Sequence, residues 1–324
     1  MKLLNGMAAL IARMSFSVGA LTYAADFPEK PVRFVVPFPP GGGADVTART
    51  IGQKMSEQIG QPVIVENRAG AGGNIATEYV ARQPGDGYTM LLTTNGHCIQ
   101  PHLATSPLGW DPVKDFTALS IVVLYPVVIA VHPSVPATSL KELVSYAKAN
   151  PGKLSYGSSG NGAPLHIAAE MFKSAAGVNI LHVPYKGNAP MTTAVVAGEV
   201  SMVFDSMTGP LPHIRAGKLR AIGYSGRQRS TVLPDVPTVA ETVVSGFEYE
   251  AWNGVIAPAG VPRDIAARLA ADLGRAVATP DVNKRLSDLG YIPVTNTPDQ
   301  FAAVIASDLA KFGKIIKEAG IRAD

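Results

Sequence analysis

Three times near the start of the chain, a short β-branched run ends in a glycine-rich turn and gives way to an amphipathic stretch. The first unit is Val32-Arg33-Phe34-Val35-Val36-Pro37, then Pro39-Pro40-Gly41-Gly42-Gly43, then a helical pattern over 45–59 opened by Asp45. The second is Val63-Ile64-Val65-Glu66, then Gly70-Ala71-Gly72-Gly73-Asn74 and a helix to Arg82; the third is a strand over 88–93 followed by Thr94-Asn95-Gly96. Strand patterns repeat every two residues and helix patterns every 3.6, so a chain that switches between them must bury both faces by stacking helices on a sheet. Successive strands joined through helices run parallel, which predicts an α/β fold with mainly parallel sheets.

A continuous apolar run over 119–131, interrupted by Pro126, breaks the alternation and reads as a strand crossing between two domains. The pattern then resumes. A helix over 140–149 precedes a strand at 154–156 that ends in Gly157-Ser158-Ser159-Gly160-Asn161-Gly162. A helix over 164–176, a strand over 180–183, the turn Pro184-Tyr185-Lys186-Gly187-Asn188, a helix to Ala197 and strands over 200–205 and 219–225 follow. A second apolar crossing at 250–257 carries Trp252, and helical patterns over 264–278, 281–289 and 298–319 are expected to pack on the first domain. Two crossings predict two lobes with a cleft between them: 25–127 with 251–324, and 128–250. The 324 residues are enough for each lobe to bury its own core.

Composition narrows the function. Hydrophobic residues make up 47% of the chain and charged residues 16%, which excludes a disordered chain. The net charge of +3 falls to +1 once Lys2 and Arg13 are set aside, and no basic stripe remains, so nucleic acid is excluded as a partner. Lys2, the small and apolar stretch over 7–21, and the small residues Thr22 and Ala24 have the layout of a secretory signal peptide cleaved after Ala24. Arg13 and Ser15 interrupt that stretch and leave it short for a membrane anchor. Cys98, the single cysteine, allows neither an internal disulfide nor a lipid anchor at the cleavage point. A free, exported, monomeric protein is expected.

In open α/β sheets ligands settle beyond the carboxyl ends of the strands. Glycine turns there let backbone N–H groups approach a ligand at the positive end of the next helix, where an oxyanion gains hydrogen bonds without a full opposite charge. The turns at 41–45, 70–74 and 157–162 all have that form, although tight turns use glycine for purely structural reasons too. Catalytic motifs fail on the same residues. Asn161 stands where a nucleophile elbow needs its second glycine, Ile75 and Val46 occupy the third glycine position of a dinucleotide turn, and Leu or Ile follows each Gly-Lys pair where a P-loop needs Ser or Thr. The six histidines show no metal-ligand spacing, so no metal and no cofactor is expected.

Single residues keep two readings each. Asp45 either contacts a ligand ammonium or water, or caps a helix. His166 either donates to a carboxylate or makes a structural hydrogen bond, and Lys186, beside Tyr185, either reaches the cleft or stays in water. Asp205, at the end of an apolar strand, is expected at the cleft mouth.

Phe38-Pro39-Pro40-Gly41-Gly42-Gly43-Ala44-Asp45, the run Val65-Glu66-Asn67-Arg68-Ala69-Gly70-Ala71-Gly72-Gly73-Asn74-Ile75-Ala76, Tyr156-Gly157-Ser158-Ser159-Gly160, Val183-Pro184-Tyr185-Lys186-Gly187-Asn188-Ala189-Pro190 and Trp252-Asn253-Gly254-Val255-Ile256-Ala257-Pro258-Ala259-Gly260 resemble the Bug receptors. These are periplasmic solute-binding proteins of tripartite tricarboxylate transporters, and the resemblance runs through the whole mature chain in order. It implies a hinged, two-lobed periplasmic-binding-protein fold of the type II, Venus-flytrap kind, closing on a small carboxylate: a di- or tricarboxylate, an acidic amino acid, or a nicotinate-like or aromatic acid. It also implies that the loops at 40–45 and 157–160 grip one ligand carboxylate. Gly72, Gly73, Asn74, Thr94, Asn95 and Asp205 are candidates for the ligand's other end. The implied partners are the transporter's membrane subunits or a sensor kinase. The competing reading is an exported α/β hydrolase or isomerase with His166 or Lys186 as base.

Overall fold

The computed structural model describes residues 27–318, 320 and 321; the signal peptide expected at 1–24 lies outside them. In chain order the elements are β1 (Val32–Val36), α1 (Gly43–Ile59), β2 (Val63–Asn67), α2 (Asn74–Ala81), β3 (Thr89–Thr94), α3 (Gly96–Leu103) and β4 (Phe116–Pro126). Next come β5 (Val128–Val131), α4 (Leu140–Ala149), β6 (Ser155–Ser158), α5 (Pro164–Ala176), β7 (Leu181–Pro184), α6 (Asn188–Val196), β8 (Met202–Asp205), α7 (Pro210–Arg215), β9 (Arg220–Tyr224) and α8 (Val239–Thr242). The chain ends with β10 (Glu250–Pro258), α9 (Arg263–Ala278), α10 (Pro280–Asp288), β11 (Ile292–Pro293) and α11 (Pro298–Glu318).

The strands form two sheets, ordered β11-β4-β10-β3-β1-β2 and β7-β6-β8-β5-β9. Both are mixed, which corrects the expectation of mainly parallel sheets. Parallel pairing is confined to β2-β1-β3 and β7-β6-β8, the strands joined through helices. The rest is antiparallel because the chain leaves the first sheet on β4 and returns to it on β10, and strands that run out and back can pair side by side only in opposite directions. That pairing spans Glu250↔Pro126 to Pro258↔Phe116.

The apolar run read as one strand over 119–131 is two. Pro126 has no N–H to continue a ladder, and the N–H of Val127 is taken by Ser225 Oγ at 2.8 Å. Beyond that point β5 pairs with β8 and β9 in the other sheet. The C-terminal helices pack on the first sheet's side, α9 and α11 against β4, α11 against α3, and α9 and α10 against α1. In α9 the buried Ile265, Leu269, Leu273, Ala276 and Val277 recur at helical spacing and supply the face that meets β4 and α1.

α1 begins at Gly43, two residues before the expected start, and its N-cap, Gly42, offers no side-chain cap hydrogen bond. The first-turn N–H groups of this helix therefore have no intrahelical partner. β6 likewise extends through Gly157 and Ser158, which the sequence pattern assigned to the following turn.

Candidate functional site

The carboxyl ends of the strands in the two sheets face each other across a cavity with about 20 Å³ of free space, room for one water. Phe38, Gly43, Ala44, Thr94 and Asn253 line it from the first sheet's side, and Ser159, Pro164, Leu165, Asn188 and Ser206 from the second's. Tyr125, near the end of β4, and Tyr291, just before β11, complete it. Every lining residue is uncharged, so the wall offers hydroxyls, amides and backbone N–H groups rather than a cation.

Gly43 packs tightly against residues from both sides. A Cβ there would overlap Tyr291 Oη and stand 2.9 Å from Thr208 Oγ1 and 3.2 Å from Ser206 Oγ, so only glycine lets the open end of α1 reach this hydroxyl cluster. Ser206 and Thr208 hydroxyls lie 2.8 Å apart. Burial, the largest influence, raises the Tyr291 phenol to about 12, so it meets a ligand as a neutral hydroxyl.

Of the residues singled out in the sequence, Gly43, Ala44, Thr94 and Ser159 line this cavity. Thr94 Oγ1 accepts the Gly96 N–H at 3.2 Å. Pro40 and Gly41 are exposed on the approach to α1, and Gly42 faces Asn188, whose Cβ is 3.7 Å from the position a Gly42 Cβ would take.

Asp45 lies inside the first turn of α1 rather than at its cap. Its carboxylate is already held by Arg49 Nε at 3.0 Å, by the Gly41 N–H at 2.9 Å and by Asn67 Nδ2 at 2.8 Å. Burial pushes its pKa up, but these bonds together outweigh burial and hold it below the usual carboxylate value. It is an anchor for the loop that carries Gly43.

The loop at 70–74 approaches the other half near Asn161, whose carbonyl would stand 2.9 Å from a Cβ on Gly72; Gly73 is buried beside Pro37. Asn74 Nδ2 donates to Gln100 Oε1 at 3.2 Å, and Gln100 Nε2 reaches the Asn161 carbonyl at 3.2 Å. Asn95 is spent on structure, accepting the Trp252 N–H at 2.7 Å and donating to Asp308 at 3.2 Å.

In the second half, Gly157 points inward, where a Cβ would stand 2.9 Å from Met191 Cγ. Ser158, fully buried, bonds His182 Nε2 at 2.6 Å and takes the Gly160 N–H at 3.2 Å. His166 is buried behind the loop, where its Nδ1 accepts the Gly162 N–H at 3.1 Å and its ring stacks on His182 with centroids 4.1 Å apart. Tyr185 packs near Gly157, with its phenol pushed up by burial, and Lys186 is exposed. Asp205 is fully buried behind Asn188 and Ser206 rather than at the cleft mouth.

Eight lining residues went unmarked in the sequence reading as candidates: Phe38, Tyr125, Pro164, Leu165, Asn188, Ser206, Asn253 and Tyr291. Asn188 and Ser206 had a local signal, since each immediately follows a marked element, the Lys186-Gly187 turn and Asp205. Tyr125 and Tyr291 had none, because each arrives through a long-range crossing.

A family profile described as tripartite tricarboxylate transporter family receptor matches residues 47–321. Protein BugT of Bordetella pertussis is 34% identical over 306 residues, covering 94% of each chain. Among solved structures, that of R. palustris Rpa4515 with adipate superposes with TM-score 0.88 at 36% identity, covering 92% of this chain and 99% of that one. MatC (Rpa3494) of Rhodopseudomonas palustris with bound malate superposes with TM-score 0.84 at 32% identity, covering 90% of this chain and all of the other. With one profile spanning most of its length and a relative of this identity matched almost end to end, the chain belongs to the tripartite tricarboxylate transporter receptor family.

Proposed function

We propose that this protein is an exported receptor that captures a small organic acid between two lobes, 25–127 with 251–324 and 128–250, and presents the closed form to a transporter's membrane subunits. The observation that carries this is the apposition at Gly43. An uncapped helix N-terminus meets the hydroxyls of Ser206, Thr208 and Tyr291 in a cavity with no charged wall. A carboxylate held there gains N–H and O–H hydrogen bonds and the favourable end of the α1 dipole, and it buries no counter-charge. The adipate and malate found in two relatives belong to the same chemical class.

Gly42, Gly43, Ala44 and Thr94 on one side, and Ser159, Asn188 and Ser206 on the other, are the proposed ligand contacts. Asp45, Asn95, Ser158 and His166 support the loops that carry them. The work is done by closure: a ligand that touches both lobes favours the closed arrangement by its differential affinity for it. Ser158 and His182 have the distance of a nucleophile and its base, but Ser158 is buried away from the cavity and its hydroxyl already braces the loop, which favours a receptor over a hydrolase.

Calorimetric titration with adipate and L-malate tests this reading. At least one acid is expected to bind and be recovered unchanged, and Gly43→Val is expected to weaken it roughly tenfold to a hundredfold, since overpacking costs about 1–3 kcal/mol. Unchanged affinity in Gly43→Val removes the proposed grip, and consumption of the acid restores the enzyme reading.

A further inference from the structure

Asp205 ends β8 with no exposed surface, yet the wall of the cavity is built on it. Its Oδ1 accepts Asn188 Nδ2 at 2.6 Å and Ser206 Oγ at 3.4 Å, and its Oδ2 lies 3.5 Å from Thr192 Oγ1. No cation pairs with it among the described residues. An ionised carboxylate only accepts hydrogen bonds, so the Asn188 NH2 group is committed to it and the amide oxygen must point the other way. That oxygen is turned toward the first lobe, 3.8 Å from where a Cβ on Gly42 would lie.

We propose that Asp205 is a positioning residue: it fixes the Asn188 amide with its oxygen toward the cleft, so that the receptor favours acids bearing a hydroxyl or ammonium beside a carboxylate over unsubstituted diacids. The proposal rests on the receptor reading above. An amide oxygen in a closed cavity repels a bare carboxylate and is left unsatisfied by a methylene, whereas a hydroxyl or ammonium donor satisfies it.

The arrangement carries a pH signature. Burial pushes the Asp205 carboxyl up to about 7, against the hydrogen bonds from Asn188, Ser206 and Thr192. Once protonated, Asp205 has an O–H to give to the Asn188 oxygen, and the amide can turn its NH2 toward the cleft, which suits a carboxylate instead. The titratable groups facing Asp205 from the neighbouring elements are Tyr125 and Tyr291; burial raises both phenols, and both stay neutral over this range.

Dissociation constants for L-malate, L-aspartate and succinate, measured calorimetrically at pH 8.5 and pH 5.5, test it. At pH 8.5 the wild type is expected to bind L-malate or L-aspartate about tenfold more tightly than succinate, and the ratio to shrink severalfold at pH 5.5. Asp205→Asn is expected to show a ratio near one at both pH values. If that variant does not fold, Asn188→Ala is expected to bring the ratio near one at both pH values, and a wild-type ratio persisting in it overturns the proposal. A wild-type ratio near one, a ratio indifferent to pH, or the wild-type pH profile surviving in Asp205→Asn overturns the proposal. Equal binding of all three acids, or binding of adipate but of none of the three, overturns this proposal alone, whereas binding of none of the three and no binding of adipate overturns it together with the receptor reading.

Discussion

Asp45 and Asp205 are the same residue type, both buried, with opposite electrostatic fates. Asp45 has a guanidinium beside it and sits below the usual carboxylate value; Asp205 has only neutral donors and sits near 7. The consequence for stability follows from proton linkage. Between the ordinary carboxylate value of 3.8 and about 7, folded Asp205 keeps a proton that the unfolded chain has released. Its contribution to stability is therefore present at low pH, is lost as pH rises through that window, and is flat above it. Urea unfolding at pH 4.5 and 7.5 is expected to show Asp205→Asn gaining stability relative to wild type as pH rises; a constant difference between them rejects the assignment. The sequence reading kept a ligand role and a capping role open for Asp45, and the structure places it in the first turn of α1, past the cap. The sequence around Asp45 places it near a helix start with Arg49 one turn along the same helix, but Asn67 becomes its partner only when α1 lies against β2.

At the scale of elements, the crossings are held by one serine. Ser225, just after β9, donates to the Tyr249 carbonyl at 2.6 Å and accepts the Val127 N–H at 2.8 Å, so a single hydroxyl ties both passages between the sheets. Its own N–H reaches the Val127 carbonyl at 2.9 Å. Ser225→Ala leaves a buried N–H and a buried carbonyl each short of a partner and is expected to cost about 1–3 kcal/mol in denaturant unfolding. A loss within about 0.5 kcal/mol, the ordinary range for a surface change, would show that the crossings are held elsewhere. The apolar run over 119–131 was legible as a crossing, and its division at Pro126 became visible only through the partner that takes the next N–H. Of the three glycine turns, the one before α1 places residues on the cavity, and the one at 157–162 contributes Ser159. Glycine content marks each as a tight turn, but what a turn faces depends on the opposite lobe.

For the whole molecule, the cavity between the lobes has room for about one water, far less than a six-carbon diacid such as adipate needs. Entry therefore requires the halves to part, and the contacts at Gln100–Asn161 and at Gly43 with Ser206 and Thr208 must open. Small-angle scattering is expected to give a smaller radius of gyration with saturating ligand than without; an identical radius would rule out lobe closure as the signal read by a membrane partner.

The sequence by itself determined the alternation of strands and helices, the positions of the glycine turns, the two apolar crossings and the family, because each is written in local periodicity or in a contiguous motif. Only the tertiary structure decided that the sheets are mixed and that Asp205 lies behind the wall rather than in it. It also decided that Tyr125, Asn188, Ser206 and Tyr291 share one cavity with Gly43. Those facts depend on contacts between residues far apart in the chain, set by how the out-and-back strands pair and how the lobes meet, and no local pattern encodes which distant side chain arrives opposite which.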